Sequence, residues 1–109
     1  MPIHSIQHDN GQTLVIQVRG RFDFSLHKEF RQAYKNSEGA SRYVVDLMGT
    51  EYVDSSALGM LLLLREFASD HGGEVVLRSG PGEVRKILEI ANFPRIFRIE
   101  DGAATTGTS

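Results

Sequence analysis

The sequence predicts a single α/β domain in which a mixed sheet of four to five strands carries its helices mainly on one face. Three observations favour this class. An Asn-Gly turn near the start indicates an antiparallel hairpin, and strand-like and helix-like segments then alternate. The chain has 109 residues, 40% of them hydrophobic, which is enough for one core and too few for two.

The opening hairpin is predicted from a turn between two strand-like segments. Residues 3–8 alternate weakly and indicate an edge strand, and residues 9–12 contain Asn10-Gly11, a pair that tolerates the positive φ angles of a tight turn. Residues 13–20 form the second predicted strand. Its three aliphatic residues on one face are Leu14, Ile16 and Val18, whereas Val15 lies on the other face.

The middle of the chain predicts a first helix followed by the central strand. Ser25 is the expected N-terminal cap of a helix over about residues 26–37, and residues 42–47 form a strand rich in β-branched and aromatic side chains. Residues 48–53 are predicted to be a loop with a short bridge at most. The buried stripe of the first helix consists of Leu26, Phe30, Ala33 and Tyr34.

The most apolar segment is a predicted long helix that starts within residues 54–56 and ends near Gly72. Asp54, Ser55 and Ser56 all favour an N-terminal cap, because a side-chain oxygen can accept from the unpaired first N–H groups. At about 100° per residue, a broad arc is expected to be buried. Its members are Ser56, Ala57, Met60, Leu61, Leu63, Leu64, Phe67 and Ala68.

The opposite arc of this helix also contains apolar residues, and the sequence leaves two interpretations open. Leu58 and Leu62 are covered by another part of the chain, or they form a contact surface with Ser55 and Gly59, where glycine allows close approach of a partner's backbone. The remaining residues of the arc are Arg65, Glu66 and Ser69.

The last third of the chain continues the alternation. A strand over residues 74–78, a turn over 79–82 and a helix over 83–91 are predicted, with Val84, Ile87, Leu88 and Ala91 buried. A short turn and strand over residues 95–99 follow. Residues 101–109 are small and polar, and we expect a mobile tail.

Composition excludes several function classes. The chain has no cysteine, so disulfides and thiolate metal sites are absent, and its formal charge of −2 with interleaved signs favours neither nucleic acid nor an anionic membrane as a partner. The first residues do not resemble a signal peptide, and the longest apolar run, residues 60–64, is too short to span a bilayer. We expect a soluble cytoplasmic protein.

No motif for catalysis or cofactor binding is recognisable. No pair of the four histidines has the spacing of a metal site on a common helix face, no Gly-x-Ser-x-Gly sequence is present, and Gly80-Pro81-Gly82 lacks the lysine of a phosphate-binding loop. Carboxylates at strand ends or in loops could gather around a ligand, and these are Asp23, Asp46, Glu51 and Asp54. Asp46 could equally be a solvated charge at the end of its strand. We expect neither an enzyme nor a metal or cofactor site.

Residues 53–59, Val-Asp-Ser-Ser-Ala-Leu-Gly, follow a strand that ends in Val45-Asp46-Leu47 and precede a leucine-rich helix. This arrangement resembles the signature of STAS domains, specifically of bacterial anti-sigma factor antagonists. Residues 20–23 and 72–75 also resemble segments of that family, as do residues 84–88 with Phe93 and Ile96-Phe97. The similarity covers about residues 10–100, with Ala57 where many members have glycine.

The resemblance implies a STAS domain over residues 1–100 and a phosphorylation switch at Ser55, the serine directly after the aspartate. In the family, a cognate anti-sigma factor serine kinase modifies this residue and a metal-dependent phosphatase reverses the modification. The unphosphorylated domain would bind the kinase and release a sigma factor. The expected contact residues are Asp23, Asp54, Ser55, Ser56, Leu58, Gly59 and Leu62.

The alternative is a STAS subunit of a transport complex or a sensory scaffold, in which the serine is only a helix cap. The sequence does not decide between a monomer and a homodimer, because exposed leucines on the long helix could serve either kind of contact.

Overall fold

A computed structural model of the chain describes residues 2–37 and 39–101. Within these residues the strands are β1 (Ile3–His8), β2 (Thr13–Val18), β3 (Gly20–Phe22), β4 (Arg42–Asp46), β5 (Thr50–Val53), β6 (Glu74–Arg78) and β7 (Arg98–Glu100). The main sheet has five of them in the order β1-β2-β4-β6-β7, in which β1 and β2 are antiparallel and the remaining neighbours are parallel. The helices are α1 (His27–Lys35), α2 (Ser55–Asp70) and α3 (Glu83–Ile90), with short 3-10 turns at Phe24–Leu26 and Phe93–Arg95. The predicted mixed sheet is confirmed.

The opening hairpin is confirmed together with its turn. Asp9 and Asn10 both have positive φ angles, 55° and 57°, and the N–H of Gly11 donates to the carbonyl of His8 over 3.0 Å. Because two consecutive left-handed residues match the twist of the flanking strands, this turn fixes the antiparallel register of β1 on β2.

One face of the sheet carries the core and the helices. Alternate residues of β2, which are Leu14, Ile16 and Val18, belong to the large core that also contains the buried residues of all three helices. The opposite face has a small separate cluster of Val15, Val44 and Val76, contributed by strands alone. The prediction that helices pack mainly on one face is therefore confirmed.

The predicted loop over residues 48–53 is wrong in its second half. Thr50–Val53 forms β5, which pairs in parallel with β3, a short strand that the sequence did not indicate. Gly20, with a φ of 75°, turns the chain out of β2, and its N–H donates to the carbonyl of Gly49 over 2.9 Å. The Thr50 hydroxyl donates to the carbonyl of Val18 over 2.7 Å in the interior, which attaches this second sheet to the first.

The helix bounds differ from prediction mainly in α1. Asp23, and not Ser25, caps the segment, because its side chain accepts from the N–H of Ser25 at the start of the 3-10 turn. The α-helix then runs from His27 to Lys35, two residues short of the predicted end at Ser37. The start of α2 agrees with the prediction, and its last turn is followed by Gly72 at a φ of 73°. Residues 102–109 of the predicted tail lie outside the described residues.

Candidate functional site

Two helix starts lie side by side at one end of the small sheet. Phe22 of β3 is in register with Val53 of β5, and each is followed directly by an aspartate. The N–H of Asp54 also donates to the carbonyl of Phe22 over 3.4 Å, so the two chain segments leave the sheet together. The parallel pairing therefore brings Asp23 and Asp54, two of the predicted contact residues, next to one another.

Asp54 is the N-terminal cap of α2. Its Oδ1 accepts from the N–H of Ala57 over 2.9 Å, in a half-buried position, and so satisfies one of the first N–H groups of the helix. This cap fixes where α2 begins and thereby the positions of the residues that follow it. Asp54 consequently has a structural role whether or not a partner contacts it.

Asp23 has the equivalent role in the neighbouring 3-10 turn. Hydrogen bonds from the hydroxyl and the N–H of Ser25 hold the pKa of the Asp23 carboxyl below its ordinary value, and Arg21, whose Nε lies 3.6 Å from Asp23 Oδ2, acts in the same direction. The carboxylate is therefore negatively charged at neutral pH. It places a second negative charge beside the start of α2.

Ser55 is the first residue of α2, and it is exposed, whereas Ser56 is half-buried. Within residues 2–37 and 39–101, the Ser55 hydroxyl makes no hydrogen bond, since Asp54 supplies the cap. A free hydroxyl at an exposed helix start is accessible to a modifying enzyme.

The exposed side of α2 continues from Ser55 through Gly59 and Leu62. Leu62 is 39% exposed, and an added Cβ at Gly59 would meet no atom within 4 Å, so nothing in the described chain covers this side. Leu58 is different, because it is half-buried and packs against the main core. Of the two open interpretations, coverage by the same chain holds for Leu58 and not for Leu62.

Leu63 contradicts the predicted buried arc, because 52% of it is exposed. It lies roughly 80° from Ser55 around the helix, closer to the exposed side than to the buried centre near Leu64. The neighbouring helix α1 covers part of Phe67, which is half-buried, but it leaves Leu63 open. The predicted arc was too wide because the sequence does not show how far α1 extends over α2.

The site also contains two residues that sequence reasoning missed. The guanidinium of Arg21 lies over the ring of Tyr52, 4.3 Å from its centroid, because the two residues are in register in the β3-β5 pair. Only the strand pairing reveals this contact. It directs the Arg21 side chain along the small sheet toward Asp23.

The four carboxylates predicted to gather around a ligand do not all come together. Asp46 pairs with Arg78 over 3.8 Å and accepts from the N–H of Met48 over 2.9 Å, which supports its reading as a strand-end charge, and Glu51 is an exposed residue of β5. Nowhere in the described ranges do three or more His, Asp or Glu side chains group as a metal site would require.

No helix of residues 2–37 and 39–101 is both long enough and apolar enough to cross a bilayer.

Known proteins share this fold. A STAS-domain containing protein of Pseudomonas aeruginosa (strain UCBPP-PA14) is 49% identical over 100 residues, which cover 91% of this chain and 99% of that protein. A putative anti-sigma factor antagonist from Thermotoga maritima superposes with a TM-score of 0.82 at 20% identity, over 95% of this chain and 90% of the other.

Two further solved structures are similar. The anti-sigma factor antagonist SpoIIAA in its unphosphorylated form has a TM-score of 0.73 at 16% identity, over 91% of this chain and 87% of the other. A sulfate transporter family protein from Wolinella succinogenes has the same TM-score at 14% identity, over 83% of this chain and 77% of the other. At such identities the likeness shows the fold alone.

A family model described as "Mlab, STAS domain" matches residues 6–98, which is most of the chain and includes both aspartates and the start of α2. Together with the fold and the close relative, this match shows that the chain belongs to the STAS-domain family.

Proposed function

We propose that this STAS domain is an anti-sigma factor antagonist whose binding is switched by phosphorylation at Ser55. Unphosphorylated, it binds an anti-sigma factor serine kinase in the cytoplasm and frees a sigma factor, and a metal-dependent phosphatase restores this state after phosphorylation. It acts by binding and is not itself an enzyme. SpoIIAA, which shares the fold, is described as an anti-sigma factor antagonist, and the Thermotoga protein as a putative anti-sigma factor antagonist.

The observation that carries the proposal is the exposed hydroxyl of Ser55 at the start of α2, which makes no hydrogen bond to any residue that the structure describes. Because Asp54 already caps the helix, Ser55 is not needed for that role. Ser56, the other candidate, is half-buried and less accessible to a kinase.

Phosphorylation would change the charge of this surface strongly and its conformation little. A phosphoserine carries about −1.5 to −2 charges at pH 7, and at a helix N-terminus such a charge is stabilised by roughly 0.3–1 kcal/mol. The helix therefore tolerates the phosphate. The same dianion stands beside Asp54 and near Asp23, so three acidic groups would meet any docked partner.

A partner fitted to the neutral hydroxyl would lose affinity for two reasons. It would have to desolvate the dianion without a matching cation, and acidic groups on its side would be repelled. The proposed contact surface contains Ser55, Ser56, Leu58, Gly59 and Leu62 of α2, with Asp23 and Asp54 at its edge. Leu62 supplies exposed apolar area, whereas half-buried Leu58 can contribute only its outer edge.

Phosphorylation is tested by incubating the protein with ATP and its cognate kinase and measuring intact mass. We expect one added phosphate on the wild type and on Ser56→Ala, and none on Ser55→Ala. The two variants are a matched pair, since they remove the same atom at adjacent positions. Equal labelling of Ser55→Ala, or no labelling of the wild type, would contradict the proposal.

The binding step is tested separately with purified kinase and isothermal titration calorimetry. Unphosphorylated protein should bind, and protein phosphorylated at Ser55 should bind at least about tenfold more weakly, which corresponds to about 1.4 kcal/mol. Affinity purification addresses the alternative, a subunit of a transport complex, whose fold precedent is the Wolinella protein. Recovery of a transporter ATPase and no kinase would favour that alternative.

A further inference from the structure

A groove between α1 and α2 has an apolar floor and a basic wall. It encloses about 400 Å³, and we call it the α1-α2 groove. Its lining includes His27, Arg31, Tyr34, Lys35, Leu63 and Phe67. It lies beyond the start of α2, about two helical turns along from Ser55.

The floor of the α1-α2 groove is apolar surface that the chain leaves partly uncovered. Leu63 is 52% exposed. Phe67 is half-buried, and the centroid of its ring lies 5.0 Å from the centroid of the Tyr34 ring. At the near end, Phe24 is 67% exposed and stacks on His27 with ring centroids 5.3 Å apart. Exposed leucine and phenylalanine side chains around a concave surface are typical of a protein-binding site.

The wall is basic because of the spacing of residues on α1. His27, Arg31 and Lys35 recur every fourth residue and so form one row along the groove, about 12 Å long. Within the described residues, neither Arg31 nor Lys35 has an ion-pair partner. Six other cations among the described residues, though not all of them, are paired with a carboxylate, namely Arg21, Arg42, Arg78, Arg85, Lys86 and Arg98. The row on α1 thus leaves positive charge available to a partner.

The two helices run side by side in the same direction. Phe22 and Val53, which precede them, are paired in the small sheet, and Tyr34 and Phe67 touch near their far ends. The groove therefore follows the common direction of the two helices, and a third helix can pack into it with its apolar side on Leu63.

We propose that the α1-α2 groove binds an acidic amphipathic helix of a protein partner. Leucine-sized side chains of that helix would cover Leu63, and carboxylates at four-residue spacing would pair with Arg31 and Lys35. Asp70, the one acidic residue among the described residues that line the groove, would repel a carboxylate at the far end. The inference does not depend on phosphorylation of Ser55.

A flat anionic membrane fits the same residues less well. Leu63 lies in a groove between two helices, a shape that matches a helix more closely than a flat lipid surface, and Asp70 would face the lipid headgroups. The observations therefore favour a helix over a bilayer.

The test is an NMR titration of the ¹⁵N-labelled full chain with a synthetic amphipathic peptide that has leucines on one side and glutamates at every fourth position beside them. The control peptide has lysines in place of the glutamates. We expect amide shifts confined to α1 and α2 with the acidic peptide, and none with the basic one. Equal effects of both peptides, no effect of either, or shifts centred elsewhere would overturn the proposal.

Variants identify the residues that bind the peptide. Arg31→Glu combined with Lys35→Glu should weaken binding at least about tenfold, whereas Arg95→Glu, an exposed cation outside the groove, should change it less than about twofold.

A second matched pair concerns the apolar floor. Leu63→Ser should weaken binding, and Ile90→Ser, at an 81% exposed position on α3, should not. Equal losses in both members of a pair would overturn the proposal. Circular dichroism confirms that each variant is folded, which is expected because all of these side chains are exposed.

Phosphatidylglycerol vesicles provide the membrane arm of the experiment. One result would overturn the proposal in favour of an anionic bilayer as the groove's partner. In that result, the wild type sediments with the vesicles, the Arg31→Glu, Lys35→Glu variant does not, and the wild type does not respond to the acidic peptide.

Discussion

The capping role of Asp54 can be separated from its charge by two substitutions. Asp54→Ala removes the acceptor that receives the Ala57 N–H over 2.9 Å, which costs about 1 kcal/mol, and it removes a negative charge from the positive end of α2, worth roughly 0.3–1 kcal/mol. The expected total is about 1–2 kcal/mol of unfolding free energy. Asp54→Asn keeps an acceptor and loses only the charge, so its loss should be smaller.

The measurement is urea unfolding followed by circular dichroism, with thermal melts alongside. In a domain near this size, 1 kcal/mol shifts Tm by about 4–8 °C, so Asp54→Ala should melt at least about 4 °C below the wild type. Ser55→Ala is the control, because its hydroxyl makes no hydrogen bond in the described chain, and it should stay within about 0.5 kcal/mol. Equal stability of Asp54→Ala and the wild type would refute the capping argument. A loss in Asp54→Asn as large as in Asp54→Ala would show that charge, and not capping, is the main contribution.

Three further predictions concern the core and two titrating groups. Leu64→Ala should lower the unfolding free energy by about 2–5 kcal/mol because Leu64 is fully buried, whereas exposed Leu63→Ala should lower it by less than about 1 kcal/mol. Equal losses of the two variants in urea unfolding would contradict the assigned faces of α2. The pKa of Asp23 is lowered in the folded state by its hydrogen bonds to Ser25. The wild type should therefore be more stable than Asp23→Ala at neutral pH, and this difference should disappear as the pH falls below 3.8. A difference in Tm that does not depend on pH would contradict this prediction. Burial raises the pKa of the Tyr34 hydroxyl above 10.0, so the folded state should lose stability as the pH rises past that value. Tyr34→Phe should lose less stability over the same pH range, and identical alkaline melting curves of the two proteins would refute this prediction.

Much of the fold follows from local chemistry that can be read in the sequence. The Asn10-Gly11 turn, the start of α2 within residues 54–56 and the central strand all depend on residues close together in the chain, and each is confirmed. The β3-β5 pair could not be predicted in the same way. It joins short segments about thirty residues apart, and neither has a strong strand pattern of its own.

The candidate site likewise has some features that the sequence pattern indicated and others that depend on distant segments. The helical wheel put Ser55 on the arc opposite the predicted core, and Ser55 is exposed in the structure, although its phosphorylation stays a prediction. The same wheel put Leu63 on the buried arc, which is wrong, because the exposure of Leu63 depends on where α1 lies and on its end at Lys35.

By itself the sequence determined the hairpin and the start of α2, since turns and caps are formed by residues that are neighbours along the chain. Only the tertiary structure decided that Asp23 lies beside Asp54 and that Leu63 opens into a groove with a basic wall. Those features depend on which segments pair and pack across long separations, and that choice is made by the free energy of the whole core.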